Sequence, residues 1–222
     1  MRRAEFVEQE SIDSYIENLN FQCSDFLKKL SEFANINNVP IIKNDVANYL
    51  KTHLMIQKPN SILELGTAIG YSSLLFYETL NENCNITTLE INDDMFNIAY
   101  ENFKKRNALN NISIIKGNAI DSLKELQGKE LFDFAFIDAA KGQYKEFLTL
   151  ILPLMKENGV IICDNILYQG MVAMDFDKVP RRKRTIVRNM KGFIEELMSH
   201  KKLTSTIIPV GDGLSISYLN NK

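Results

Sequence analysis

The stretch 61–73, Ser-Ile-Leu-Glu-Leu-Gly-Thr-Ala-Ile-Gly-Tyr-Ser-Ser, constrains this chain more than any other. A short apolar run ends at Glu64-Leu65-Gly66, and helix-forming sequence resumes after Gly70. That order predicts a buried strand, a glycine turn and a helix start, the layout of a nucleotide-type site in an α/β sheet. Gly66 lets the backbone turn sharply and approach a ligand closely. Glu64 sets a carboxylate at the end of the strand. The helix start at Gly70 aims free N–H groups at the same crevice.

The rest of the chain supplies the sheet. Strand-like runs fall at 62–65, 86–90, 112–116, 134–138 and 160–164, with helical segments at 71–80, 93–107, 119–126 and 143–155 between them. Strands alternating with helices imply βαβ units and a mostly parallel sheet. After a helix at 185–200, runs at 206–210 and 214–219 flank Gly211-Asp212-Gly213, which reads as an antiparallel hairpin. Ahead of the sheet, Ile12, Tyr15, Ile16 and Leu19, then Phe26, Leu27, Leu30 and Phe33, then Val46, Ala47, Leu50 and Leu54 recur at helical spacing. The expected fold is α/β, one domain over 1–222, with 1–57 as a helical N-terminal extension.

Composition excludes some function classes. At 222 residues with a net charge of -2, the chain is long enough for a core and has no global attraction to nucleic acid or anionic lipid. Cys23, Cys84 and Cys163 are far apart and form no metal or redox spacing. There is no apolar signal core and no apolar run near the ~20 residues of a membrane span. The expectation is a cytoplasmic protein without a membrane partner.

Polar residues end four of the expected strands: Glu64, Glu90, Asp138 and Asp164-Asn165. In open α/β sheets ligands sit beyond those ends. One such residue is an ordinary cap, but four on one edge point to a site. Glu90, ending the second strand, suits the hydroxyls of a ribose. The turn 66–70 lacks the Gly-x-Gly-x-x-Gly spacing that holds a pyrophosphate, and Glu64 would repel one. The donor is then cationic at its amino-acid end, which fits S-adenosylmethionine and disfavours a nicotinamide oxidoreductase. Asp138, Asp164 and Asn165 offer three hard oxygen ligands for magnesium or another divalent ion such as manganese. Lys141 lies three residues past Asp138, where it either takes a substrate proton or is an ordinary surface lysine.

These residues resemble the metal-dependent class I O-methyltransferases, the catechol and caffeoyl-CoA type. The matching motifs are Glu64-Leu65-Gly66-Thr67-Ala68-Ile69-Gly70-Tyr71-Ser72, Glu90, Gly117-Asn118-Ala119, Ile137-Asp138-Ala139-Ala140-Lys141, Asp164-Asn165 and Pro209-Val210-Gly211-Asp212-Gly213. They run in the family's order over 39–218. Within the family the chain looks most like bacterial tRNA 5-hydroxyuridine methyltransferases, through Asn165-Ile166-Leu167-Tyr168-Gln169-Gly170 and Arg184-Thr185-Ile186-Val187-Arg188-Asn189. The resemblance implies a Rossmann-like seven-stranded sheet and S-adenosylmethionine as donor. It carries donor contacts to Ile42, Glu64, Gly66, Ser72, Glu90, Ala119 and Asp138. It carries the metal to Asp138, Asp164 and Asn165, and catalysis to Lys141 beside Asp138, with a metal-borne hydroxide as the other base. It also implies a homodimer. Caffeoyl-CoA enzymes have an acidic residue where this chain has Ala140.

The substrate expectation follows from two neighbouring oxygens. A 5-hydroxyuracil offers its 5-hydroxyl and 4-carbonyl, and a catechol offers two hydroxyls. Arg181, Arg182, Lys183, Arg184, Arg188 and Lys191 cluster without an acid among them. They read either as contacts to tRNA phosphates or as a solvated helix face. Tyr168 and Phe176 read either as platforms for a flipped base or as loop anchors. The first expectation is methylation of 5-hydroxyuridine in the tRNA anticodon loop; the runner-up is a small catechol or hydroxycinnamoyl ester. A non-catalytic protein on the same fold is disfavoured, since Asp138, Lys141, Asp164 and Asn165 are all present.

Overall fold

The structure, a computed structural model, describes residues 15–16, 22–129 and 131–220. Tyr15 and Ile16 are helical; the rest of the first expected helix lies outside the described residues. Two helices lead into the sheet, α1 (Asp25–Asn37) and α2 (Asn44–Gln57). Ser24 caps α1 by accepting from the Leu27 N–H at 3.2 Å.

Strands β1 (Ser61–Leu65), β2 (Asn85–Glu90), β3 (Ile112–Lys116), β4 (Phe132–Ile137) and β5 (Met155–Cys163) alternate with α3 (Tyr71–Thr79), α4 (Asp93–Lys105), α5 (Ala119–Leu126) and α6 (Tyr144–Ile151). Helix α7 (Arg184–Ser199) then precedes β6 (Leu203–Ile208) and β7 (Leu214–Leu219). The seven strands form one sheet in the order β3-β2-β1-β4-β5-β7-β6. Pairs from β3 through β5 are parallel, and β7 runs antiparallel between β5 and β6. This is the expected seven-stranded Rossmann-like sheet with a C-terminal antiparallel hairpin.

Alternating strand side chains feed two cores. Ile62, Phe134 and Phe136 face α1–α4, with Phe76 set edge-on to both phenylalanines. Leu63, Leu65, Ala135 and Ile137 face α5–α7 and meet Phe147, Phe193 and Leu197. The strand order reverses between β1 and β4, which opens a crevice at their carboxyl ends.

Proline explains two of the boundaries that differ from the sequence expectation. The helix expected to reach residue 155 stops at Ile151. Pro153 sits in a 3-10 turn, Leu152–Leu154, and β5 starts directly after it. The strand expected at 206–210 ends at Ile208, because Pro209 has no N–H for the ladder.

Candidate functional site

The crevice widens into a cavity of about 630 Å³ at the carboxyl ends of β1, β2, β4 and β5. Gly66, Ser72, Glu90, Ala119, Asp138, Lys141, Asp164, Asn165 and Ile42 all stand on its wall. Thus positions spanning both halves of the sheet meet at one cavity.

Gly66 turns the chain at φ +98°, and a Cβ there would lie 2.1 Å from the Asp138 carbonyl oxygen. Only glycine fits this approach of β1 to β4. Its N–H and that of Thr67 donate to the Leu89 carbonyl at 3.1 and 3.3 Å. Glu90 Oε2 accepts from Ala68 N at 2.8 Å and Oε1 from Asn92 N at 2.8 Å. The carboxylate is thereby fixed with lone pairs left over for ligand hydroxyls. Asn118 caps α5 through Ile120 N at 2.9 Å, which brings Ala119 to the wall.

Glu64 differs from its expected place. It is fully buried and lies behind the turn, not on the cavity wall. Its Oε2 accepts from the Thr88 hydroxyl at 2.6 Å and from the Ser73 hydroxyl. Thr88 and Thr67 share a further hydroxyl contact of 2.6 Å. Burial pushes the Glu64 carboxyl up to about 7, against the pull of the Ser72, Ser73 and Thr88 hydroxyls. Among the described residues Glu64 Oε1 is buried with no hydrogen-bond partner. A carboxylate ending an apolar strand was legible; that it would point down into the core was not.

The opposite end of the cavity is ionic. Lys141 Nζ donates to Asp138 Oδ1 at 2.7 Å and to Asn165 Oδ1 at 2.6 Å. Asp164 is 2% exposed and accepts from its neighbour's backbone N–H, Asn165 N, at 2.6 Å. Burial, then the charge of Asp138, raises the Asp164 carboxyl to about 7; Asp212 pushes it the same way. Crowded carboxylates held by one ammonium, joined by an amide oxygen, form a donor set that fits a hard divalent cation. Among the described residues no three His, Cys, Asp or Glu form a group that could hold a metal ion.

Three residues here were not singled out from the sequence. Tyr144, buried under Lys141, donates to the Asp164 carbonyl at 3.0 Å and packs edge-on against Phe193. Asp45 Oδ2 accepts from Gly211 N at 2.7 Å and ties α2 to the β6–β7 turn at the cavity mouth. Asp212, in that turn, lines the cavity and accepts from Gln169 N at 2.6 Å. Gly-Asp-Gly announced a turn, and nothing local announced where the turn would land.

The basic run divides. Arg184 donates to the Val179 and Asp177 carbonyls at 3.0 and 2.8 Å. Its guanidinium and that of Arg188 lie 5.6 and 5.3 Å from the Phe176 ring centre. Lys183 donates to the Tyr168 hydroxyl at 2.8 Å and lies over its ring. Tyr168 and Phe176 are therefore loop anchors, and Arg184 is bound to its own loop. Arg181 and Arg182 are exposed. None of the four arginines lines the cavity.

The family model described as O-methyltransferase matches residues 17–219. Caffeoyl-CoA O-methyltransferase of Populus kitakamiensis is 30% identical, over 78% of this chain and 75% of its own length. The crystal structure of a candidate caffeoyl-CoA O-methyltransferase from Staphylococcus aureus superposes with a TM-score of 0.87 at 33% identity, covering 95% of this chain and all (100%) of that one. An O-methyltransferase from Bacillus cereus, solved in complex with SAH, gives a TM-score of 0.82 at 25% identity over 95% and 97% of the two chains.

Proposed function

The chain belongs to the O-methyltransferase family and is an S-adenosylmethionine-dependent enzyme; from that premise we propose that it methylates the 5-hydroxyl of 5-hydroxyuridine at the wobble position of tRNA, giving 5-methoxyuridine. One observation carries the reading. Exposed Arg181 and Arg182 adjoin Lys183, which grips Tyr168 in the loop that begins with Asp164 and Asn165. Positive charge thus adjoins the loop that follows Asp164 and Asn165, and in this reading it meets the phosphates flanking an extruded nucleotide. Helix α7 also touches the segment after the lysine, through Asn189 Nδ2 and the Gly142 carbonyl at 3.3 Å.

In this reading Glu90 takes the donor's ribose hydroxyls, Gly66 admits its backbone-side edge, and Ser72, Ile42, Ala119 and Asp138 enclose it. Asp138, Asp164 and Asn165 would hold magnesium or manganese. When bound, the metal supplies positive charge to two neighbouring substrate oxygens, and the donor supplies a sulfonium methyl that passes to the ionised oxygen with loss of a neutral thioether. Lys141 Nζ, within reach of both Asp138 and Asn165, is the group placed to receive the hydroxyl proton. Tyr144 holds the Asp164 backbone so that the carboxylate keeps its aim. The walls then align the oxygen with the methyl, and positioning supplies much of the rate.

A tRNA substrate makes the enzyme cytoplasmic. No helix among the described residues is long and apolar enough to cross a membrane. The expected homodimer has support in Ile36 and Ile56, left 79% and 78% exposed on α1 and α2.

The second reading is a small catechol or caffeoyl-CoA-like ester, favoured by the names of the relatives. Against it, Ala140 lines the cavity where caffeoyl-CoA enzymes carry an acid. Nucleoside mass spectrometry of tRNA from cells with and without the gene decides. Loss of 5-methoxyuridine with a rise in 5-hydroxyuridine supports the tRNA reading; unchanged nucleosides, with good methylation of a catechol by the pure enzyme, overturn it. Replacing Arg181 and Arg182 by Glu is expected to weaken tRNA binding and flatten its salt dependence, measured as log Kd against log salt.

A further inference from the structure

Lys141 occupies two of the oxygens on which a divalent cation would be held. Its Nζ donates to Asp138 Oδ1 at 2.7 Å and to Asn165 Oδ1 at 2.6 Å. Its third contact is the Tyr144 hydroxyl, at 3.4 Å. An ammonium carries three N–H groups, and these three acceptors use all of them. The Tyr144 proton goes to the Asp164 carbonyl at 3.0 Å, which leaves a lone pair on the phenol oxygen for the lysine. Two of the acceptors are thus oxygens of the metal reading, and the third is not.

A divalent cation on the same pair of oxygens would lie close beside that ammonium. The Lys141 and Asp138 side chains are only 21% and 27% exposed, so water screens the like charges weakly. One of the two cations has to give way, and the local anchoring decides which. Asp138 N donates to the Leu65 carbonyl at 2.9 Å, and Asn165 N donates to Asp164 Oδ1 at 2.6 Å. Both oxygens therefore sit on tied backbone. Lys141 is a point charge on a flexible four-carbon stem. We propose that Lys141 and the divalent cation are alternative occupants of Asp138 Oδ1 and Asn165 Oδ1, so that the arriving cation moves the ammonium off both. The inference rests on the metal reading above. Tyr144, which touches the lysine and offers no metal ligand, keeps the displaced ammonium at the cavity wall. The residue placed to receive the substrate proton is then released only when the cation that polarises the substrate is in place. A lysine that merely braces two loops would do the opposite, since its loss would loosen the oxygens.

Manganese binding, titrated by calorimetry with neither methyl donor nor substrate present, tests this. Lys141→Met keeps most of the stem and removes the charge. It is expected to tighten the Kd for manganese by about tenfold or more. Lys43→Met removes the other lysine that lines the cavity among the described residues. It is expected to leave the Kd within about twofold of wild type. Equal tightening in both variants would make the effect one of general charge and overturn the proposal. An unchanged or weaker Kd in Lys141→Met overturns it as well, and the lysine is then a brace; in both cases the metal reading stands. A crystal structure of the wild type grown with manganese is expected to show Nζ away from both oxygens. Nζ still bonded to both, beside a bound ion, overturns the proposal. Failure of the wild type and of Lys141→Met alike to bind manganese overturns the metal reading and this inference together.

Discussion

The two ends of the cavity are built on opposite terms. At the β1–β2 end the carboxylate on the cavity wall is provided for within the chain. Glu90 has a backbone N–H on each oxygen, and Glu64 is surrounded by hydroxyls under a glycine turn. At the β4–β5 end, Asp138, Asp164 and Asp212 stand near one another, and Lys141 bridges two oxygens that suit a stronger cation. The first end is complete and needs only a ligand of the right shape. The second holds like charges together and is relieved when positive charge arrives. Preorganisation and electrostatic tension are thus separated by the width of one cavity.

Asp164→Ala tests that separation most severely. Turnover is expected to fall by about 10³-fold or more, since charge stabilisation worth several kcal/mol is lost. Donor affinity, read by calorimetry, is expected to stay within about threefold. A parallel loss of donor affinity would join the two ends and end the contrast. Gly66→Ala is the converse. The added Cβ meets the Asp138 carbonyl at 2.1 Å, so about 3 kcal/mol of stability is expected to go, together with donor binding. Thermal unfolding and donor titration check it, and a variant that melts and binds like wild type removes glycine from the explanation.

Glu64→Gln sharpens the contrast by pH. The folded protein holds the Glu64 proton up to about 7, above its ordinary value of 4.5. Between those values the native state binds more protons than the unfolded chain, so stability falls as pH rises across that window. The glutamine variant is expected to flatten this fall by on the order of 2 kcal/mol, seen as a smaller drop in melting temperature from pH 5 to pH 7.5. An unchanged slope would mean that Glu64 stays ionised, with its charge met from elsewhere.

The β1–β2 end was also the more legible in the sequence. Apolar runs ending in Glu64 and Glu90 mark strand ends by composition, as Asp138 does at the other end, and Gly66 and Gly70 mark the turn by the backbone they require. Lys141 and Asn165 were legible because they sit within a few residues of those ends. What was not legible came from contacts across long sequence separations. Asp45 and Gly211 meet across 166 residues, and Asp212 reaches Gln169 across 43. The basic run was visible as charge, but its division was not. Whether an arginine faces solvent or its own loop depends on where Phe176 and the 177–179 carbonyls fall, which no spacing rule states. Side-chain aim failed once more at Glu64, where burial pattern gave the strand and left the rotamer undecided.

The position of β7 carries a further consequence. It is made after every other strand, yet it lies inside the sheet, between β5 and β6. Until it inserts, β5 presents an open edge, and the turn bearing Asp212 lacks its strand on one side. During synthesis the donor end can assemble early from neighbouring segments, while the ionic end waits for the final hairpin. A chain cut short before Leu214 would therefore be a sticky, incomplete sheet with half a site. The order of the strands along the chain makes reactivity the last property this protein acquires.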